Sequence, residues 1–191
     1  MPNLFEEKKY LRNPERVMIG VDEVGRGCWA GPVLSCASYI YPSKFTNLPK
    51  INDSKKMSKK NRRQILLCSP LFSKCAIGCS TVNEIESLGI NASNDLAALR
   101  AVILLIQNFN LYANKNLCFD IFFDGNRAPR FEIFKYLYSL IKYKIRINCI
   151  VKGDSKVMSI ALASIIAKET RDIIMYHQHN LYPQYNFKNN V

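Results

Sequence analysis

Acidic side chains are scarce: 15 Asp and Glu stand against 27 Lys and Arg in 191 residues, a formal charge of +12 at pH 7 with a pI near 9.4. A phosphate-bearing partner is the first expectation for such a surface. Histidine is scarcer still, with only His177 and His179, and their spacing suits the surface of a helix end better than a metal site. The seven cysteines, at 28, 36, 68, 75, 79, 118 and 149, include no Cys-x-x-Cys pair, and their odd number excludes a fully paired secreted framework. Cys75 and Cys79 lack the second thiolate pair that structural zinc requires. No apolar run is long enough to cross a bilayer, and residues 1–16 are polar and charged, unlike a signal peptide. A reducing, cytoplasmic setting with no membrane partner is expected. Core-forming residues are plentiful: 48% of the chain is hydrophobic, with 10 Phe and 10 Tyr, which excludes a disordered chain and fits one domain.

Strand and helix patterns alternate along the chain. Val17–Val24, Val33–Tyr41, Lys74–Ser80, Cys118–Phe123 and Lys144–Val151 read as strands. Ser58 is placed to cap a helix running to Cys68, and Thr81 or Asn83 to open a short helix ending at Gly89. Asn94 or Asp95 is expected to cap a longer helix with Leu96, Leu99, Ile103 and Ile106 on one apolar face. Phe131–Lys142 fits a short helix, and Lys156–His177 a long one carrying the small residues Ala161, Ala163, Ser164 and Ala167. The class is α/β, with a mixed sheet because the two early strands are joined by a short link. Trp29 and Tyr39 are expected to be packing residues.

In so basic a chain the placement of acids is informative. Asp22 and Glu23 interrupt an apolar strand, Asp124 ends another after Ile121-Phe122-Phe123, and Asp154 follows the strand that ends near Val151. Three strand ends each deliver carboxylate, the usual place for ligand-binding groups in an open α/β sheet. Hard oxygen ligands without a His or Cys cluster suit Mg²⁺ or Mn²⁺, and a basic surface beside them suggests two-metal phosphodiester chemistry. The plainer alternative is salt bridging to Arg26, Lys152 or Lys156. Gly25-Arg26-Gly27 forms a turn that exposes backbone N–H groups. Lys55–Arg63 puts six cations in nine residues, which suits contact with nucleic-acid phosphates as well as a solvated helix start.

Five motifs, Asp22-Glu-Val-Gly-Arg-Gly27, Asn52-Asp-Ser-Lys-Lys56, Phe123-Asp-Gly-Asn-Arg127, Val151-Lys-Gly-Asp-Ser155 and Ala163-Ser-Ile-Ile-Ala-Lys168, resemble in order and spacing those of bacterial type 2 ribonuclease H, the ribonuclease HII family. The resemblance covers nearly the whole chain from Val17. It implies an RNase H-like fold with a mixed five-stranded sheet flanked by helices over 17–191, with 1–16 an N-terminal extension. It also implies divalent-metal endonuclease activity on RNA–DNA hybrids and on duplex DNA carrying single ribonucleotides, cut on the 5′ side to leave a 5′-phosphate and a 3′-hydroxyl. Asp22, Glu23, Asp124 and Asp154 would hold two Mg²⁺ or Mn²⁺ ions. Gly25, Arg26 and Gly27 would recognise the ribose 2′-hydroxyl, the group that distinguishes RNA from DNA. Lys55 and Lys168 would contact phosphate or support the site.

The C-terminus departs from the family. Leu181–Phe187 resembles the segment just before the family's Lys-Gly-Tyr motif, but the sequence reaches Val191 without such a Tyr. The chain is therefore expected either to be incomplete there or to read the DNA junction differently. Tyr182 and Tyr185 match the preceding segment and are no replacement. Two other functions compete: a non-catalytic RNA-binding or ribosome-associated protein, indifferent to Mg²⁺, and a hybrid-only ribonuclease H without junction specificity. The latter resembles the type 3 enzyme, whose usual extra N-terminal domain has no room in the 21 residues before Asp22. Action as a monomer is expected, since no exposed apolar stripe demands a partner.

Overall fold

The computed structural model describes residues 1–13, 15–109 and 117–189. The apolar runs form five strands: β1 (Arg16–Val24), β2 (Val33–Ile40), β3 (Ser73–Ser80), β4 (Cys118–Asp124) and β5 (Lys144–Ile150). They make one sheet in the order β3-β2-β1-β4-β5. β1 pairs antiparallel with β2 and β2 with β3, whereas β1–β4 and β4–β5 are parallel. The mixed five-stranded sheet thus stands as expected, with parallel strands β1 and β4 at its centre, ending side by side.

Among the described residues six α-helices accompany the sheet: α1 (Phe5–Lys8), α2 (Lys59–Cys68), α3 (Val82–Leu88), α4 (Ile90–Gln107), α5 (Lys135–Tyr138) and α6 (Met158–Leu181). Strand side chains alternate between faces, and β1 shows both allegiances. Val17, Ile19 and Val21 pack with Leu99, Val102 and Leu105 of α4, while Met18 meets Ile160 of α6. Cys36 and Ile40 of β2 join α6 and Ile65 of α2 in a second core. Burial of each large apolar side chain in these layers contributes roughly 1.5–3 kcal/mol. Among the described residues no helix is long and apolar enough to cross a membrane.

Several elements differ from the sequence expectation. α4 begins at Ile90, with only Gly89 between it and α3. Gly89 at φ 77° closes α3 through its N–H to Ile85 O and opens α4 by accepting from Ser93 N. Asn94 and Asp95 are consequently inside the helix and buried, where Arg127 and the Arg130 N–H rather than orphan helix N–H groups claim Asp95. Phe131–Lys142 is not one helix but a 3₁₀ turn, Phe131–Phe134, followed by α5. Phe131, Phe134 and Leu137 recur every three residues and all pack on the α4-side core, a spacing that 3₁₀ winding matches better than α. α6 starts after Lys156 and runs past His177 and His179 to Leu181. Trp29 does not pack: it is 97% exposed, whereas Tyr39 sits edge-on to Phe109 at 5.0 Å.

The N-terminal segment is built into the fold. Asn3 bridges the start of α6 through Asn3 N–H to Lys156 O and Met158 N–H to Asn3 O. Glu7 Oε1 then accepts from the backbone N–H (2.8 Å) and hydroxyl (2.9 Å) of Ser159, capping α6 from a distant part of the chain.

Helix and sheet come close at Gly78 of β3, where a Cβ would lie 2.0 Å from Ala97 O and 2.5 Å from Ala101 N of α4. Both neighbours are backbone, so a side chain there forces the helix off the sheet. Gly78→Ala is expected to lower the unfolding free energy by roughly 2 kcal/mol, read as a lower urea midpoint at unchanged slope. An unchanged midpoint would contradict the approach.

Candidate active site

The acids gather at one end of the sheet because of strand order. Asp22 and Glu23 lie near the end of β1, and Asp124 ends β4, its parallel neighbour, where Val21 pairs with Phe123. Asp154 lies in the 3₁₀ turn Gly153–Ser155 between β5 and α6. The left-handed residue Lys152, at φ 57°, reverses the chain just before it. Gly153 N–H donates to Asp124 Oδ1 at 2.6 Å, tying the turn that carries Asp154 to the strand that carries Asp124.

Alternation splits the adjacent pair. Asp22 is buried toward α6, where the Ser164 hydroxyl donates to it, and its Oδ1 also accepts from Glu23 N–H at 2.8 Å. Glu23 faces the α4 side, opposite Ser35 of β2 in register. Burial, and next the charge of Glu23, hold the Asp22 carboxyl well above its usual range; the Ser164 bond pulls it down and Asp124 raises it again. Burial raises Glu23 as well, opposed by Arg26 and reinforced by Asp124. Asp154 is raised by burial, by Asp124 and by Asp53, with Lys55 opposing. Asp124 is thus the charge that the other three acids all sense.

The remaining expected residues surround this quartet. In the turn after β1, Gly25 takes φ 98° and accepts from Cys28 N–H, while Gly27 is exposed. Arg26 reaches Asn91 Oδ1 of α4 at 2.8 Å and Glu23 Oε1 at 3.8 Å. Lys55 is delivered by the 3₁₀ turn Ser54–Lys56, which Asp53 caps by accepting Lys55 N–H, and the Ser54 and Ser164 hydroxyls meet at 2.9 Å. Lys168 lies one turn beyond Ser164 on α6 and pairs with Asp172 at 2.8 Å. It therefore borders the site through α6 while its ammonium is engaged by a carboxylate outside the quartet. Of the alternative salt bridges, only that from Arg26 to Glu23 forms among the described residues; Lys156 Nζ donates to Val151 O.

Sequence reasoning missed a polar floor on the α4 side. A cavity of about 110 Å³ is lined by Glu23, Ser35, Asn94, Asp95, Asp124 and Arg127 among others. Fully buried Asp95 accepts both Arg127 guanidinium N–H groups and, at 3.2 Å, the Arg130 backbone N–H. Ser35 Oγ and Asn94 Oδ1 are buried with no hydrogen-bond partner among the described residues. At ~30 Å³ per water the space suits about three waters or the polar part of a ligand. The signal in the sequence was Asp95 itself, a carboxylate directly before the apolar face of α4, which the reading as a helix cap absorbed.

An all-oxygen donor set of this kind fits a hard divalent cation. Among the described residues no three His, Cys, Asp or Glu side chains close around a single point as they stand. The quartet is held as mutually repelling carboxylates, and Asp22 and Asp124 each give one oxygen to a backbone N–H. A cation among them would offset these repulsions by its own attraction to each carboxylate.

Comparison with known proteins follows the same outline. The profile of the family described as Ribonuclease HII matches residues 19–191. The Ribonuclease HII of Wolbachia pipientis from Culex pipiens is 39% identical over 175 residues, covering 91% of this chain and 77% of that protein. The PCNA:RNase HII complex from Archaeoglobus fulgidus superposes with a TM-score of 0.66 at 19% identity, over 87% of this chain and 78% of that one. Bst-RNase HIII in complex with Mn²⁺ gives 0.69 at 22%, over 87% and 55%. At these identities the two structures establish the fold, which is RNase H-like.

A buried, repelled carboxylate costs stability. Because the folded-state pKa of Asp22 lies above its unfolded value, the penalty is absent at low pH and grows as pH rises through the ordinary carboxylate range toward the raised value. Asp22→Asn is therefore expected to melt higher than the parent in EDTA near pH 8, with the gap closing near pH 3. Equal melting at both pH values, measured by circular dichroism, would contradict the burial of that charge.

Proposed function

The chain belongs to the ribonuclease HII family, and from that premise we propose that Asp22, Glu23, Asp124 and Asp154 hold divalent cations for hydrolysis of RNA paired with DNA. The proposal extends to cutting on the 5′ side of single ribonucleotides in duplex DNA, leaving a 5′-phosphate and a 3′-hydroxyl. One observation carries it: in a chain of charge +12, carboxylates from three separate chain segments converge so that Asp124 acts on all the others. A structural salt-bridge network would interleave cations among these acids; here Arg26 and Lys55 stand at the margin.

When bound, Mg²⁺ or Mn²⁺ supplies an activated water and charge stabilisation at the leaving oxygen. The chain's own residues hold the groups around that chemistry. Ser164 and the Glu23 N–H hold one side of Asp22, and the Gly153 N–H holds Asp124 Oδ1, which limits how far either carboxylate moves as the acids close on a cation. The turn Gly25-Arg26-Gly27 is assigned the ribose 2′-hydroxyl, with Arg26 braced by Asn91. Lys55, next to Asp154, is assigned a backbone phosphate beside the cut, and Lys168 supports α6 through Asp172.

The test is cleavage of labelled duplex DNA containing one ribonucleotide, with all-DNA and hybrid duplexes as controls, in Mg²⁺, Mn²⁺ and EDTA. Metal-dependent cutting 5′ to the ribonucleotide is expected, falling at least about 10³-fold in Asp124→Asn while duplex binding persists. Cutting of the hybrid alone would reduce the activity to a hybrid-only ribonuclease H. Binding without cutting by the parent, indifferent to Mg²⁺, would leave a nucleic-acid-binding protein.

A further inference from the structure

Trp29 is the sole tryptophan of the chain and is 97% exposed. Burying an indole removes 150–250 Å² of largely apolar surface from water, so a folded chain with a core this large has strong reason to cover it. Beside the ring lies an open apolar hollow of about 640 Å³, lined by Pro32, Val82, Ile174, Met175 and Phe187 among others. The ring nevertheless stands out in solvent, and the loop that carries it is constrained.

The constraint comes from α6. Arg171, with no exposed surface, donates through Nη2 to Ala30 O at 2.6 Å and through Nε to Pro32 O at 3.2 Å. Gly25 and Gly31, both at positive φ, bracket the loop. A Cβ on Gly25 would lie 2.7 Å from Arg171 Nε, and one on Gly31 would lie 2.4 Å from Met175 Sδ. The loop is therefore moulded around a buried guanidinium, with the carbonyl next to Trp29 pinned. Trp29 follows directly on the Gly25–Cys28 turn and lies two residues beyond Gly27.

We propose that Trp29 is a substrate-contacting residue, its ring lying against the sugar and base edge of the nucleotide next to the ribonucleotide in the minor groove of the duplex. The inference rests on the assignment of Gly25-Arg26-Gly27 to the 2′-hydroxyl. That hydroxyl is displayed in the minor groove, where apolar side chains contact or wedge base steps without reading sequence. Nucleic acid is favoured over a protein partner because the ring projects from the same turn as Arg26, which lines the acid cleft, on a chain of charge +12. Arg171 is the positioning residue for this contact.

A single tryptophan makes the experiment specific. Duplex DNA with one ribonucleotide is titrated into the Asp124→Asn chain, following binding by anisotropy of a dye on the duplex and, with unlabelled duplex, the emission of Trp29. Emission is expected to change with the same midpoint as anisotropy. Adding Trp29→Ala should weaken binding about tenfold, Trp29→Phe should restore most of it, and neither should move the thermal melt, since the ring packs on nothing. In the otherwise unaltered enzyme, Trp29→Ala should raise KM by a similar factor and leave kcat within about twofold. Binding with flat emission and unweakened Trp29→Ala would overturn the contact while leaving the proposed substrate intact, and would turn attention to a protein at the apolar hollow. Absence of duplex binding by anisotropy would overturn both.

Discussion

Like-charge repulsion among Asp22, Glu23, Asp124 and Asp154 is the constraint around which this molecule is organised. Four carboxylates in one another's field do not assemble unaided, least of all with Asp22 withdrawn from water. The sheet order brings them together by setting β1 beside β4 in parallel, so that their ends coincide. The tight link between β5 and α6 then carries Asp154 in. Small polar devices hold two of the acids in place: a serine hydroxyl on Asp22, backbone N–H groups on Asp22 and Asp124. The core on both faces of the sheet supplies the stability that this local opposition removes.

Helix α6 connects the parts. Its first turn is capped by Glu7 from the N-terminal segment, Ser164 meets both Asp22 and Ser54, and Lys168 pairs with Asp172. Arg171 and Met175 shape the loop that bears Arg26 and Trp29. From Ser164 through Lys168 and Arg171 to Met175 the contacts recur at three and four residues, so they follow one side of the helix. The acids, the basic turn at Lys55 and the loop after β1 are thus referred to one rigid element. A change of packing along α6 would displace all three together, which is a physical reason for the small residues Ala161, Ala163 and Ala167 against the sheet.

The central strands were legible as apolar runs and β5 as an alternation of apolar and polar residues, and the acids because each interrupts, ends or follows such a segment. α4 was legible as a helix but not at its start: Asn94 and Asp95 have the chemistry of caps, and only the fold shows that Arg127 and Arg130, more than thirty residues on, claim Asp95. The 3₁₀ turn at Phe131 was hidden because its three-residue spacing also fits one face of an α-helix. Ser54 and Ser164 stand in two of the sequence motifs, but their contact across 110 residues was not legible. Trp29 was misjudged on composition, since tryptophan is usually well buried; its exposure depends on a guanidinium 142 positions away in sequence, Arg171.

The placement of the cations carries a further physical consequence. α2 begins at Ser58 with Lys59 and Lys60 and has no acid in its first turn, so its charges oppose the helix dipole, at a cost of roughly 0.3–1 kcal/mol each when exposed. The helix is held from its other side instead. Ile65 is buried in the α6 core, and Arg62 bonds Glu169 at 2.7 Å, with Asp172 at 3.7 Å. Arg62 thus turns inward while Lys59, Lys60 and Arg63 remain in solvent. Acid, scarce in this chain, is spent on the inner side of α2 and on the quartet rather than on neutralising the outer cations. The mismatch left at the N-terminus of α2 is of the sign that a phosphate backbone would relieve, and it lies along the chain from Lys55, the cation that already opposes the repulsion at Asp154.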